Sequence, residues 1–275
     1  MTTDLQAPAY AQNAAQLRLV GSRVRPFVSS ITRKRQAAYH AAAGIPPAYY
    51  GDRVDASLLA IDAMLSISYT NEIAQGGLHA GHRVIQSGPV CYDETLTLEG
   101  TVTATRPMRQ GTLITIDINV RRSNGEVPVQ LKFHSLRLDA ARTSGPNRPA
   151  LIAETLVGYA LLSEQTLNPV RVAAYSYEFP EAWVHFDAQK AAQLGLRAPL
   201  AHGAMSLTWI AGEIARRGAI EAMDLSVTFN HPIFWDSEVA VYQDKDNRFS
   251  VVNSCGIHCS TGQLKNVRYA DPDGF

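Results

Sequence analysis

The sequence predicts an α+β fold in which one arrangement, a long central helix wrapped by an antiparallel sheet, is built twice in tandem. Three observations carry this. An apolar stripe of helical period at Leu58, Ile61, Leu65 and Ile67 precedes a run of short strands. A second apolar helix, SLTWIAGEIARR, again precedes strands. Between the two, ARTSGPNRPA has the glycine, proline and small polar residues of a linker. The expected units are 1–142 and 154–275, joined by 143–153, and 275 residues are enough for two cores.

In chain order, 18–31 reads as extended, and ITRKRQAAYHAAAG as a helix that starts at a Thr32 cap and stops at Gly44 before Pro46 and Pro47. The Leu58 to Tyr69 stripe is the first central helix. Strands follow at LHAGHRVIQSGPV, ETLTLEGTVTATRPMR, TLITIDINVRRS and VPVQLKFHSLRLD, with turns at Asp93, Gly111 and the Asn124, Gly125 pair. Threonine, valine and isoleucine at alternating positions suit a sheet with one face against a helix. In the second unit a strand is expected near Val172 to Phe179, then a short helix capped by Asp187 and the apolar helix at 203. Strands follow at LSVTFNHPIFW, SEVAVYQD, FSVVNSCGIHCST and LKNVRYA. A single unit would expose an apolar sheet surface and edge strands, so side-by-side pairing into one continuous sheet is expected.

Lysine plus arginine equals aspartate plus glutamate, 25 each, with no basic block, which argues against nucleic acid as a partner. Three cysteines, Cys91, Cys255 and Cys259, form no disulfide framework and fit a reducing cytoplasm. Cys255, His258 and Cys259 read as one strand, with the thiols on one face and the histidine on the other, a poor tetrahedral cage for a metal. The first residues lack a secretory pattern, and no run reaches the roughly 20 apolar residues of a membrane span. No glycine-rich loop for a dinucleotide or nucleotide is present, so no cofactor is expected.

The chemistry concentrates in WVHFDAQKAAQLGLRAPLAHGAMSLTWIAGEIARR. His185 precedes a short polar helix, and His202 with Gly203 opens the apolar one. In spacing, His185, Asp187, Gly195, Pro199, His202 and Gly203 resemble the MaoC-like family of (R)-specific enoyl thioester hydratases and 3-hydroxyacyl dehydratases. That resemblance implies a double hotdog fold and a first unit that shapes an acyl tunnel without catalysing. AGIPPAYYGD is similar to a worn copy of the family's Gly, Asp, Asn, Pro turn. The implied substrate is an acyl thioester of coenzyme A or acyl carrier protein, and two such chains can pair as a homodimer.

One position departs from the family: Pro180 stands where the resemblance implies a catalytic Asp, five residues before His185. Adding water beside a thioester carbonyl needs a base, a proton for the alpha carbon and a donor to the carbonyl oxygen. His185 is expected as the base, Gly203 as the helix-start N–H donor, and Glu181 or Glu178 as the carboxylate replacing Asp. His202 is expected to orient substrate or hold the turn. Trp183 and Trp209 are candidates for the acyl pocket, with a core role as the alternative. Leu207, Ile210, Ala211 and Ile214 read as a buried side of this helix, and Glu213, Arg216 and Arg217 as its wet side. The two arginines would complement the helix end or meet a phosphate. His40, His79, His82, His134 and His231 read as structural or surface residues, His79 facing the cleft between units. Two alternatives stand beside hydration: a hotdog acyl thioesterase, and a chain that binds acyl thioesters without turning them over.

Overall fold

The computed structural model describes residues 20–70, 77–138 and 156–271. The first unit comprises β1 (Phe27–Ser29), α1 (Arg33–Ala43), α2 (Leu59–Ser68), β2 (Gly77–Gln86), β3 (Leu96–Met108), β4 (Gly111–Arg122) and β5 (Val129–Leu138). The second comprises β6 (Tyr159–Thr166), α3 (Pro169–Tyr175), α4 (Ala188–Gln193), α5 (Gly203–Ala215), β7 (Ile220–Phe229), β8 (Glu238–Asp244), β9 (Arg248–Asn253) and β10 (His258–Tyr269). The expected linker, 143–153, lies outside the described residues.

All ten strands form one sheet in the order β1-β3-β4-β5-β2-β7-β10-β9-β8-β6. Read inward from either edge, both units have the same permutation: β1-β3-β4-β5-β2 and β6-β8-β9-β10-β7. They meet where β2 pairs antiparallel with β7, in a register running from Gly81↔Thr228 to Gln86↔Met223. Each unit's inner edge strand thereby loses its unpaired N–H and C=O groups to the other.

Local chemistry explains the helices. Thr32 caps α1 by accepting from Arg35 N, and Gly44 ends it in the left-handed region at φ 73°. Asp187 caps α4 by accepting from Gln189 N and Lys190 N. The expected strand over Val172 to Phe179 is instead largely α3. Asn168 accepts from Arg171 N as a cap and Pro169 takes the first helical position, a start signal stronger than the β-branched residues after it.

Two further expectations are corrected. FSVVNSCGIHCST is a hairpin, because Asn253 Oδ1 accepts from Cys255 N and Ile257 N and Gly256 adopts φ 75°. Cys255 is therefore exposed on the turn while Cys259 is buried in β10, so the two thiols do not share a strand face. Helix α5 has no wet side along its length: every residue from Ala204 to Ala215 is buried, Glu213 included. The first unit covers its outer face so closely that a Cβ on Gly212 would lie 2.8 Å from Ile45 Cδ1. Arg216 pairs with Glu213 at 3.1 Å, and Arg217 donates to Gln243.

The apolar core is continuous across both units and includes Tyr39 and Phe133 from the first and Trp209 and Phe249 from the second. Burying each such side chain is worth about 1.5–3 kcal/mol, so neither unit's helices are independent of the other. Among the described residues no helix is long and apolar enough to cross a membrane.

Candidate active site at the start of helix α5

His202 and Gly203 stand where the chain leaves an extended conformation and enters α5. His202 is the cap, with φ −66° and ψ 132°, and its Nδ1 accepts from Ala204 N at 3.4 Å. A nitrogen that accepts carries no proton, so the neutral ring keeps its proton on Nε2. Burial, then the neighbouring His185, holds the His202 pKa well below that of a free imidazole.

His185 ends a 3₁₀ turn, Trp183–His185, and its ring lies 4.8 Å from that of His202 between centroids. Two bonds clamp this turn to the segment before α5. Leu200 N donates to Val184 O at 3.0 Å, and His185 Nδ1 lies 2.8 Å from Leu200 O. A carbonyl only accepts, so Nδ1 carries the proton and Nε2 is left with its lone pair. Burial lowers the His185 pKa despite the opposing pull of the Leu200 carbonyl, so the ring is neutral at pH 7. The pair presents one basic nitrogen and one N–H donor of the same ring type.

Gly203 is the first residue of α5, and the first N–H groups of a helix have no acceptor within it. A Cβ at Gly203 would stand 3.2 Å from the Phe229 ring. Phe229, at the end of β7, thus presses on the helix start, and on its other side lies His79 of β2, 4.7 Å between ring centroids. Phe179 and Tyr175 flank His202 at 5.2 and 6.0 Å. The site is therefore lined by aromatic rings from the second unit and closed by a histidine from the first.

The carboxylates lie elsewhere. Glu178 accepts from Arg35 Nε at 2.8 Å and Nη2 at 2.7 Å, from Tyr39 Oη at 2.8 Å and from Tyr177 Oη at 2.8 Å. Arg35 reaches on to buried Asp62 at 2.7 Å, which ties α1, α2 and the segment after α3 together. Burial alone would raise the Glu178 pKa, but the arginine and the two phenols outweigh it and leave the group below the usual carboxylate range. An ionised, four-fold bonded Glu178 positions the loop; it does not carry a proton to His185. Glu181 is exposed on the turn before Trp183. Among the described residues, no carboxylate hydrogen bond to either the His185 or the His202 ring is found.

The tryptophans also separate. Trp209 is 1% exposed and its Nε1 donates to Ala43 O at 2.8 Å, which makes it a core strut between units, the alternative role expected for it. Trp183 is half-buried beside the Lys190 ammonium, 5.6 Å from its ring centroid. Of the histidines read as structural or surface residues, His40 pairs with Asp55, both buried, His79 Nε2 lies 3.4 Å from His82 Nδ1, and His134 Nδ1 lies 3.1 Å from Thr115 Oγ1. Sequence spacing missed Phe229, the Arg35, Asp62 and Glu178 network and the His40, Asp55 pair, because their members are brought together only by packing.

Tyr39→Phe isolates the positioning role of Glu178. Losing a hydroxyl bond to a charged acceptor is expected to cost about 1.5 kcal/mol, read as a lower urea midpoint. An unchanged midpoint would mean that Arg35 and Tyr177 hold the carboxylate without Tyr39.

No protein-family model matches the sequence, and no curated protein matches it by sequence comparison. Solved structures with a similar chain trace include HtdX from Mycobacterium tuberculosis, with a TM-score of 0.71 and 19% identity over 92% of this chain and 100% of that one. A MaoC-like dehydratase from Phytophthora capsici has a TM-score of 0.70 and 15% identity over 94% of this chain and 99% of that one. An acyl-ACP thioesterase from Bacteroides thetaiotaomicron has a TM-score of 0.56 and 8% identity over 88% and 96%. At these identities the likeness establishes a shared architecture: the chain has the α+β hotdog-like fold, central helices wrapped by an antiparallel sheet.

Proposed function

We propose that this chain is a hydratase or dehydratase that interconverts trans-2-enoyl and (R)-3-hydroxyacyl thioesters of coenzyme A or acyl carrier protein at the start of α5. In this reading it is a double hotdog, with units 1–142 and 154–275 joined by 143–153. The observation that carries it is the tautomer of His185: Nδ1–H is spent on Leu200 O, which leaves a half-buried, neutral imidazole with a basic Nε2, its ring 4.8 Å from that of His202.

In hydration, His185 Nε2 takes a proton from water as the water oxygen bonds to C3 of the enoyl group. The electron pair of the double bond moves toward the thioester oxygen, where the Gly203 N–H meets the growing charge. The His185 imidazolium then returns a proton to C2, so that water is added and the thioester is kept. His202 Nε2–H orients the water or the carbonyl. With Pro180 in place of a carboxylate and Glu178 committed to Arg35, one imidazole both takes and gives the proton.

The test is incubation with crotonyl-CoA and longer trans-2-enoyl-CoAs, following loss of conjugated-thioester absorbance, product mass and free thiol. Hydration without thiol release is expected. Thiol release would assign the hydrolytic reaction instead, and saturable binding without any turnover would leave a binding protein.

A further inference from the structure

The first unit brings a third histidine, His79, toward the start of α5 through an irregularity in β2. Residues three apart on a strand point to opposite faces, yet the His79 and His82 rings lie 5.5 Å apart, with His79 Nε2 3.4 Å from His82 Nδ1. The register of β2 against β5 explains it. His79 pairs with Ser135 and Gly81 with His134, so Ala80 is an extra residue, a bulge that turns both imidazoles to one face.

The bulge sits where the seam between the units opens. Pairing of β2 with β7 begins at Gly81↔Thr228, so His79 lies past the last paired residue of its strand, as Phe229 does on the other. There the two rings meet edge to face, 4.7 Å between centroids at 72°. His79 also stacks on Phe133 of β5, 4.4 Å away at 12°, and Phe133 is wholly buried, a fixed backing. Phe229 in turn abuts the start of α5, since a Cβ at Gly203 would stand 3.2 Å from its ring. Packing therefore runs from Phe133 through His79 and Phe229 to Gly203, from the core of the first unit to the first residue of the helix.

We propose that His79 is a positioning residue for the site at α5: backed by Phe133, it holds Phe229 against the helix start and so keeps the Gly203 N–H in place. Removing the imidazole opens a void behind Phe229, and close-packed side chains relax partway into a void. The consequence for turnover rests on the function proposed above, whereas the packing rests on these four residues alone.

Amide NMR spectra of the full chain carrying nitrogen-15 glycine test the packing without any substrate, the Gly203 peak being identified by its loss in Gly203→Ala. His79→Ala should move that peak, because the Phe229 ring beside it shifts, and leave in place the peak of Gly212, which packs on Ile45 instead. His79→Phe, a ring of similar size that cannot bond His82, should return the Gly203 peak most of the way. Phe229→Leu should move the peak with His79 intact, and adding His79→Ala to it should move it no further. His79→Leu, which fills more of the space, takes the place of His79→Ala if that variant does not fold. A Gly203 peak that stays put in the truncated variant, that moves equally with Phe at position 79, or that moves additively in the double variant overturns the proposal. In turnover of crotonyl-CoA, a donor that meets charge only in the transition state acts on kcat. His79→Ala should therefore lower kcat about tenfold, part of the roughly 10²–10³ that such a donor supplies, with KM little changed and His79→Phe recovering most of the loss. A change in KM alone overturns the positioning of the donor. No turnover by the unaltered chain counts against the α5 reading and leaves the amide peak to decide the positioning.

Discussion

His185→Ala should lower turnover of crotonyl-CoA by about 10²–10⁴-fold, the usual contribution of a positioned general base. The expectation follows from how the ring is held. The Leu200 carbonyl fixes the tautomer, the 3₁₀ turn sets the ring beside that of His202, and burial keeps it unprotonated without a carboxylate. Thermal stability should change far less, since the variant loses one hydrogen bond worth about 1 kcal/mol. The pH profile separates base from bystander. With its folded pKa lowered from 6.5, His185 should let the rate fall only at a lower pH than a free imidazole would. Turnover within a few-fold of the unaltered chain would remove His185 from the mechanism. Loss of activity together with collapse of the melting temperature would indicate a structural residue.

Most of the fold was legible because it is written in local signals. The Thr32 cap and Gly44 stop delimit α1, the Asp187 cap starts α4, and Gly111 and the Asn124, Gly125 pair turn the strands of the first unit. Where two local signals competed, the stronger was misjudged: Asn168 with Pro169 starts a helix through residues that otherwise look like a strand. The site was legible only in part. His185, His202 and Gly203 lie within 18 positions of one another, and a motif spans that distance. Glu178 was not legible, because the Arg35 that claims it lies 143 residues away. The wet side expected for α5 failed for a related reason. A helix covered by its own sheet on one side and by another unit on the other has no solvent face, and its Glu213 is buried as a consequence of the tandem arrangement.

That arrangement carries a cost in acid. Strand β2 lies at the seam and holds His82, 1% exposed, with Nε2 unpartnered and burial pushing its pKa down to about 3. His202, 7% exposed, is lowered well below 6.5 by burial and by His185. Both are bases with depressed folded pKa values, so the stability that depends on their neutral form is complete above pH 6.5. It is lost as the pH falls from there toward each folded value, because the unfolded chain takes up the proton first. At 1.36 kcal/mol per pH unit, His82 should remove roughly 2 kcal/mol between pH 6.5 and 5, and His202 acts in the same direction. The His82 share alone is a sizeable part of a typical total of about 5–15 kcal/mol for a folded protein. His79 and His185 are shifted the same way but are partly exposed, and so add less. Glu178 does not act in this window: its folded pKa is below the unfolded 4.5, so its contribution is lost only in stronger acid. Urea denaturation should therefore show a steep fall in stability between pH 6.5 and 5. His82→Phe, which fills the same volume beside Phe133 with a ring that cannot take a proton, should recover about 2 kcal/mol of that fall. If the variant loses as much as the unaltered chain over this range, His82 is not what acid attacks, and the joint between β2 and β7 rests on its strand pairing and the Arg83–Asp224 ion pair.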